Sequence, residues 1–193
     1  MSGTGAGNYE LSTTEASAGS ARITPAPLTI TAKNTSKTYN GLAYSGGNGV
    51  TYSGFVNSET DSVLGGTLVY DGSSQGAVNA GTYAITPKGY TSDNYTIGYT
   101  NGTLTINKAE LTVTANDASK TYDKVAYSGG NGVTYSGFVN SETSGVLGGT
   151  LAYDGSSQGA VNAGTYAITP KGYTSDNYTI GYTNGTLTIG KVP

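Results

Sequence analysis

The chain is expected to be mainly β and to be organised as tandem small β-rich modules. Three observations predict this. The first is composition: 31 of 193 residues are glycine and 17 are tyrosine, only 35% are apolar, and only 11% are charged. Tyr and Thr fit a pleated, half-buried surface, whereas Gly and Asn supply turns, so the mixture disfavours a helical bundle. The second is a recurring alternation of apolar and polar residues in short runs bounded by Gly and Asn, the signature of half-buried strands. The third is repetition: YDGSSQGAVNAGTYAITPKGY at 70–90 returns unchanged at 153–173.

Residues 28–109 align with 111–192 at an offset of 83, and 12 of the 82 positions differ. Ile30, Lys33, Asn34 and Thr35 become Val113, Asn116, Asp117 and Ala118. Asn40, Gly41 and Leu42 become Asp123, Lys124 and Val125, and Asp61-Ser62 becomes Ser144-Gly145. From Tyr70 to Ile106 nothing changes. A period this long exceeds the common solenoid units and suffices for a small folded domain. Two modules are therefore expected, at 28–110 and 111–193. One core shared by two fused halves is the structural alternative. Residues 1–27 read as the C-terminal remnant of a preceding repeat plus a linker, because Asn8-Tyr9-x-Leu11 matches Asn94-Tyr95-x-Ile97 and Ile23 precedes Leu28 by the same interval as Ile106 precedes Leu111.

Taken in order, LTITA at 28–32 places Leu28, Ile30 and Ala32 on one face. VTYSGFV at 50–56, GTLVY at 66–70 and GTYAIT at 81–86 are further strands. Between them, VNSETDSVL at 56–64 offers Asn57 or Ser58 as an N-cap before acidic residues, which predicts one short helix per module. The Ser144-Gly145 pair weakens it in the second copy. NYTIGYTNGTLTI at 94–106 predicts a hairpin about a type I′ turn at Asn101-Gly102. Thr100 would face Thr103, and Tyr99 would face Leu104, with Tyr95, Ile97, Tyr99, Leu104 and Ile106 sharing one face. About six strands per module result. Asn107–Glu110 forms a short join that limits bending far more than a Gly/Ser tether would.

Each module carries eight tyrosines and one phenylalanine. Tyrosine buries a large ring while its hydroxyl reaches an edge or water, so core and cross-strand packing is expected of the alternating set. Tyr44 and Tyr90, flanked by Gly and Ser, are the candidates for ligand contact, with Tyr127 and Tyr173 as their second-copy equivalents. Loops 45–49 and 72–80 are the candidate binding loops.

The sequence also excludes classes of function. With no Cys or His, thiolate and imidazole metal sites and the usual catalytic triads cannot be built. No Gly-x-Ser-x-Gly elbow and no phosphate-binding Gly-x4-Gly-Lys motif occurs. Net charge is −3 with no basic run, which removes nucleic acid as a partner. No apolar stretch is long enough to insert in a membrane. The acids common to both copies, Glu59/Glu142, Asp71/Asp154 and Asp93/Asp176, lack a Ca²⁺-loop spacing; Asp before Gly is a turn former. No catalytic residue, cofactor or metal is expected. The absence of a signal peptide is expected to reflect a chain cut from a longer one.

LTITAKNTSKTYNGLAY, YSGFVNSETDSVLGGTLVYDGS, NAGTYAITPKG and DNYTIGYTNGTLTINKA together resemble the MBG and YDG repeat modules of large bacterial surface proteins, including filamentous-haemagglutinin-like adhesins. The resemblance spans residues 8–193. It implies a small β-rich fold, an Ig-like sandwich or β-grasp-like, and a stalk or spacer on or released from a bacterial cell. It supplies no catalytic residues. The expected partners are neighbouring repeats of the same chain, with the chain monomeric in solution. The alternative is a module that binds host or matrix glycan or protein through tandem copies.

Overall fold

The structure, a computed structural model, describes residues 22–193. Most of the preceding-repeat remnant expected within residues 1–27 lies outside the described residues. The first module has seven strands: β1 (Ala26–Ala32), β2 (Thr35–Thr38), β3 (Val50–Ser53), β4 (Gly65–Asp71), β5 (Gly81–Thr91), β6 (Tyr95–Thr100) and β7 (Gly102–Asn107). The second repeats them as β8 (Ala109–Ala115), β9 (Ala118–Thr121), β10 (Val133–Ser136), β11 (Gly148–Asp154), β12 (Gly164–Thr174), β13 (Tyr178–Thr183) and β14 (Gly185–Gly190).

Each module closes two sheets of its own, ordered β3-β1-β6 and β2-β7-β5-β4 in the first, and no strand of one module pairs with a strand of the other. The pairs β1–β6 and β2–β7 are parallel, and the remaining pairs are antiparallel. Strand β5 is long enough to serve two neighbours: its first half pairs with β7 and its second half with β4. The architecture is a two-sheet sandwich, without the helix around which a β-grasp sheet curls.

The alternation seen in sequence sets the interior. Leu28, Ile30 and Ala32 of β1 and Leu104 and Ile106 of β7 are all buried, as is Tyr95. Thr29 and Thr31, on the opposite face of β1, are not. Strand β2 was absent from the expected set. TSKT has no apolar residue; β2 is held by pairing with the edge of β7, which hydrophobic periodicity cannot detect.

Two expectations are corrected. The stretch around Asn101-Gly102 is not a hairpin. Strand β6 lies in one sheet and β7 in the other, so Thr100–Thr103 and Tyr99–Leu104 are not paired. Neither Asn101 nor Gly102 has positive φ, as a type I′ turn would require. The dipeptide marks a crossover between sheets. Glycine is needed there for close approach: a Cβ on Gly102 would lie 2.6 Å from the carbonyl oxygen of Ala32 and 2.9 Å from that of Lys33. The side-chain oxygen of Asn34 accepts from the Thr103 N–H at 2.8 Å and fixes the crossover; Asp117 does the same for Thr186 at 2.7 Å.

The helix over 56–64 reduces to a three-residue 3-10 turn, Asp61–Val63. Asn57 and Ser58 do not cap it. Both are left-handed, with φ of 50° and 59°, whereas an N-cap is extended. Thr60 is the cap, accepting from the Ser62 N–H. The second copy keeps the turn at Ser144–Val146 without any side-chain cap. The Ser-Gly pair thus removes the cap and leaves the turn.

The crossover reading separates two neighbouring substitutions. Gly102→Ala drives a methyl into the Ala32 carbonyl and should cost about 1–3 kcal/mol. Asn101→Ala should stay within about 0.5 kcal/mol, as surface changes do. Urea unfolding of the two variants measures the difference; a large loss from Asn101→Ala would restore the hairpin.

Candidate functional site

The four tyrosines singled out in sequence are half-buried, and the structure does not gather them into one face. The hydroxyls of Tyr90 and Tyr52 are 3.0 Å apart, and those of Tyr173 and Tyr135 are 2.8 Å apart. The rings of these pairs are tilted, with centroids 6.2 and 6.1 Å apart. The Tyr135 hydroxyl beside it, together with burial, pushes Tyr173 up to about 12. Tyr44 packs on a different apolar cluster from Tyr90. Tyr127 lines an open polar groove of about 640 Å³ with Asp117, Ser119, Asn131, Thr186 and Thr188.

The candidate loops are tied to one another. The Gln75 side chain accepts from the Gly46 N–H at 2.7 Å and donates to the Gly46 carbonyl at 2.9 Å. Gln158 holds Gly129 in the same way. Asp71, considered for a cation, accepts from the Gly72 N–H and pairs with Lys88. Those contacts hold its carboxyl below the usual range.

A site that sequence did not indicate lies where the modules meet. Strand β7 ends at Asn107 and β8 begins at Ala109, so the expected four-residue join is one residue, Lys108. Its Nζ donates to the Ser175 carbonyl at 2.8 Å, and the Ala109 N–H donates to the Asn177 carbonyl at 2.9 Å.

The centre of the junction is the Glu142 carboxylate. Its Oε1 accepts from the Tyr39 hydroxyl of the first module at 2.6 Å, and its Oε2 accepts from the Tyr178 hydroxyl at 2.5 Å. The two rings meet edge to face, with centroids 5.5 Å apart and planes at 81°. Phe138 packs on Tyr178 in the same manner. Local structure aims the carboxylate. Asn140 and Ser141 are left-handed, so the chain doubles back and the Glu142 N–H reaches the Val139 carbonyl at 2.9 Å. The Tyr178 hydroxyl in turn accepts from the Val139 N–H.

Around this centre, Asn177 reads the edge of the first module. Its Oδ1 accepts from the Ala80 N–H at 2.8 Å, and its Nδ2 donates to the Asn79 side chain at 3.0 Å. Gly41, at φ 71°, sits against Asn140; a Cβ there would lie 2.7 Å from the Asn140 Cβ. Beneath these polar contacts one buried cluster crosses the join, from Ala32, Ile85 and Leu104 to Ala109, Leu111 and Tyr178. Strand pairing stays within modules while apolar packing runs between them.

Magnitudes favour the docked arrangement. A hydrogen bond to a charged acceptor contributes roughly 1.5–3 kcal/mol, and an edge-to-face ring pair about 0.5–1.5 kcal/mol beyond its burial. Closing over a one-residue join forfeits little chain entropy, because loop-closure cost scales with loop length.

The same residues recur at the two outer ends. The Tyr95 hydroxyl donates to Glu59, and Tyr95 meets Phe55 edge to face. Among the described residues no second tyrosine reaches Glu59. Tyr39 is 5% exposed, whereas Tyr122, its counterpart, is half-buried in an apolar hollow of about 380 Å³ with Ala163, Lys191 and Val192.

A family model for the MBG domain of YGX type matches residues 28–105 and again 111–188. No curated protein matches the chain. No helix among the described residues is long and apolar enough to cross a membrane.

Removing the charge with Glu142→Gln should lower the stability of the coupled unit by about 1.5–3 kcal/mol. The matched Glu59→Gln change, which affects one tyrosine bond, should cost less. Chemical denaturation of both variants tests this. The junction should also weaken in alkali. Donation to Glu142, then burial, raises Tyr39 from 10.0 to about 12. The docked state therefore keeps a proton that the undocked state loses, so docking is fully present below pH 10 and is lost as pH rises through 12. Tyrosinate absorbance against pH should contain several late-titrating tyrosines, and Tyr39→Phe should remove one of them.

Proposed function

The chain belongs to the MBG domain family, YGX type, and from that membership we propose that it is a structural stalk or spacer segment of a bacterial cell-surface or secreted adhesin. Its role is to hold a distal binding region away from the cell. Two tandem MBG domains fit a repeat segment of a surface protein, and MBG domains occur in extracellular surface proteins. The partners are neighbouring repeats of the same chain, and no reaction is catalysed.

The observation that carries this reading is the junction. A spacer must transmit length, so its joints must resist bending. Here the join is one residue long, and a carboxylate, an asparagine and a continuous apolar seam lock the end of one module onto the start of the next.

A second reading rests on the groove at Tyr127. Thr35 and Asn34 of the first copy become Ala118 and Asp117 in the second, and the groove there is larger, about 640 against about 330 Å³. An aromatic ring beside a carboxylate and several hydroxyls suits a neutral glycan. Binding on a glycan array that Tyr127→Ala removes would favour this reading; no binding above background would end it.

For the spacer reading, a module of this size spans about 30 Å. Small-angle scattering of the chain should give a two-lobed elongated particle with a maximum dimension of about 60 Å for the two modules. A compact, single-lobed profile would contradict it.

A further inference from the structure

The junction is built from two unlike ends. One is a socket at the start of a module, formed by Asn140, Glu142, Asn177 and Tyr178. The other is a plug at the end of a module, formed by Tyr39, Gly41, Asn79 and Ala80. The socket is conserved between the copies of this chain: Asn57, Glu59, Asn94 and Tyr95 occupy the same positions in the first module. The plug is not. Asn40, Gly41 and Leu42 are replaced by Asp123, Lys124 and Val125, and Ala109, which follows the first plug, corresponds to Val192.

The change at Gly41 bears directly on docking. In the junction, the space where a Cβ on Gly41 would stand is taken by the Asn140 Cβ, 2.7 Å away. That neighbour is fixed close to the backbone and cannot swing aside as the tip of a long side chain can. Lys124 holds the same left-handed backbone, with φ of 65° against 71° for Gly41. Its Cβ therefore projects to where an incoming socket would bring its asparagine. The other plug elements persist: Tyr122, Asn162 and Ala163 stand where Tyr39, Asn79 and Ala80 do.

We propose that Asn57, Glu59, Asn94 and Tyr95 form a docking socket for the end of another module of this kind, one that carries tyrosine at the position of Tyr39 and glycine at the position of Gly41. The residue at that second position selects which ends can enter. Glycine admits the socket and makes a rigid joint, and lysine excludes it and leaves a hinge. The partner is recognised by a phenol that donates to the oxygen of Glu59 that no described residue reaches, by a ring edge against Tyr95, and by a backbone N–H for Asn94. An array of such modules then has rigid and bending joints written by one residue each. The selectivity stands or falls by itself, whether or not the chain serves as a spacer, because it concerns which ends dock and not what the docked array does.

Spin-label distances across joints test it. The chain has no cysteine, so Val69→Cys and Thr179→Cys place one exposed label in each module. The present joint should give one narrow distance, and Gly41→Lys should lose it to a broad distribution. Misfolding does not explain such a loss, because the second module already carries lysine at this backbone conformation. The complementary arm joins two copies of the chain, with Lys191 running directly into Ala26 of the second copy, as Lys108 runs into Ala109. Labels replacing Ala152 of the first copy and Thr96 of the second report the new joint. It should be broad with Lys124 and become narrow with Lys124→Gly. A Gly41→Lys joint as narrow as the original, or a Lys124→Gly joint as broad as its parent, would overturn the proposal.

Discussion

The Glu142 carboxylate sits at the boundary of two modules and accepts from a tyrosine of each. A charged acceptor taken partly out of water must have its lone pairs satisfied. In the docked pair both oxygens find protein donors: Tyr178 supplies one from within its own module, and Tyr39 supplies the other from its neighbour. The contact thus converts a local need for hydrogen bonding into a constraint on module orientation. Asn177 repeats the device with an amide, using its oxygen on a backbone N–H and its nitrogen on a side chain.

The same economy runs through the interiors. The modules are poor in aliphatic residues, and tyrosine fills the deficit because its ring packs while its hydroxyl finds a partner. The Tyr95 hydroxyl accepts from Val56 and donates to Glu59; the Tyr99 hydroxyl accepts from the Tyr90 N–H; the Tyr83 hydroxyl donates to Asn79. No buried side-chain nitrogen or oxygen among the described residues lacks a partner. The Tyr83, Tyr95 and Tyr99 rings are therefore positioned at both ends, by packing at the base and by hydrogen bonding at the tip. That is how a glycine-rich chain with a small core presents a defined surface to its neighbour.

Much of the fold was legible in the sequence, for local reasons. Leu28, Ile30 and Ala32 alternate because β1 is covered on one face, and Leu104 and Ile106 do so on β7. Alternation fixes which side chains point inward but not which strands pair. Tyr95 through Ile106 therefore kept their inward face while the hairpin drawn through them was wrong. Asn-Gly is also an ambiguous signal: Gly102 is required by a neighbouring carbonyl and not by positive φ. Strand β2 carries no apolar residue and left no trace. The junction was the least legible part. Tyr39 and Glu142 lie 103 residues apart, and no pattern within a module distinguishes a glutamate that aims at a neighbour from one on a solvated loop. The trace that did exist was the clustering of changes at 40–42 beside unchanged Asn57, Glu59 and Asn94, which is how a varied plug and a fixed socket look from sequence.

The central physical claim is that the two modules, though each closes its own sheets, move as one body. Backbone ¹⁵N relaxation measured residue by residue along the chain tests this most directly. A single anisotropic rotational diffusion tensor should fit the strands of both modules together, with Lys108 as rigid as its neighbours. Two separate tensors with shorter correlation times, one for each module, would contradict the account.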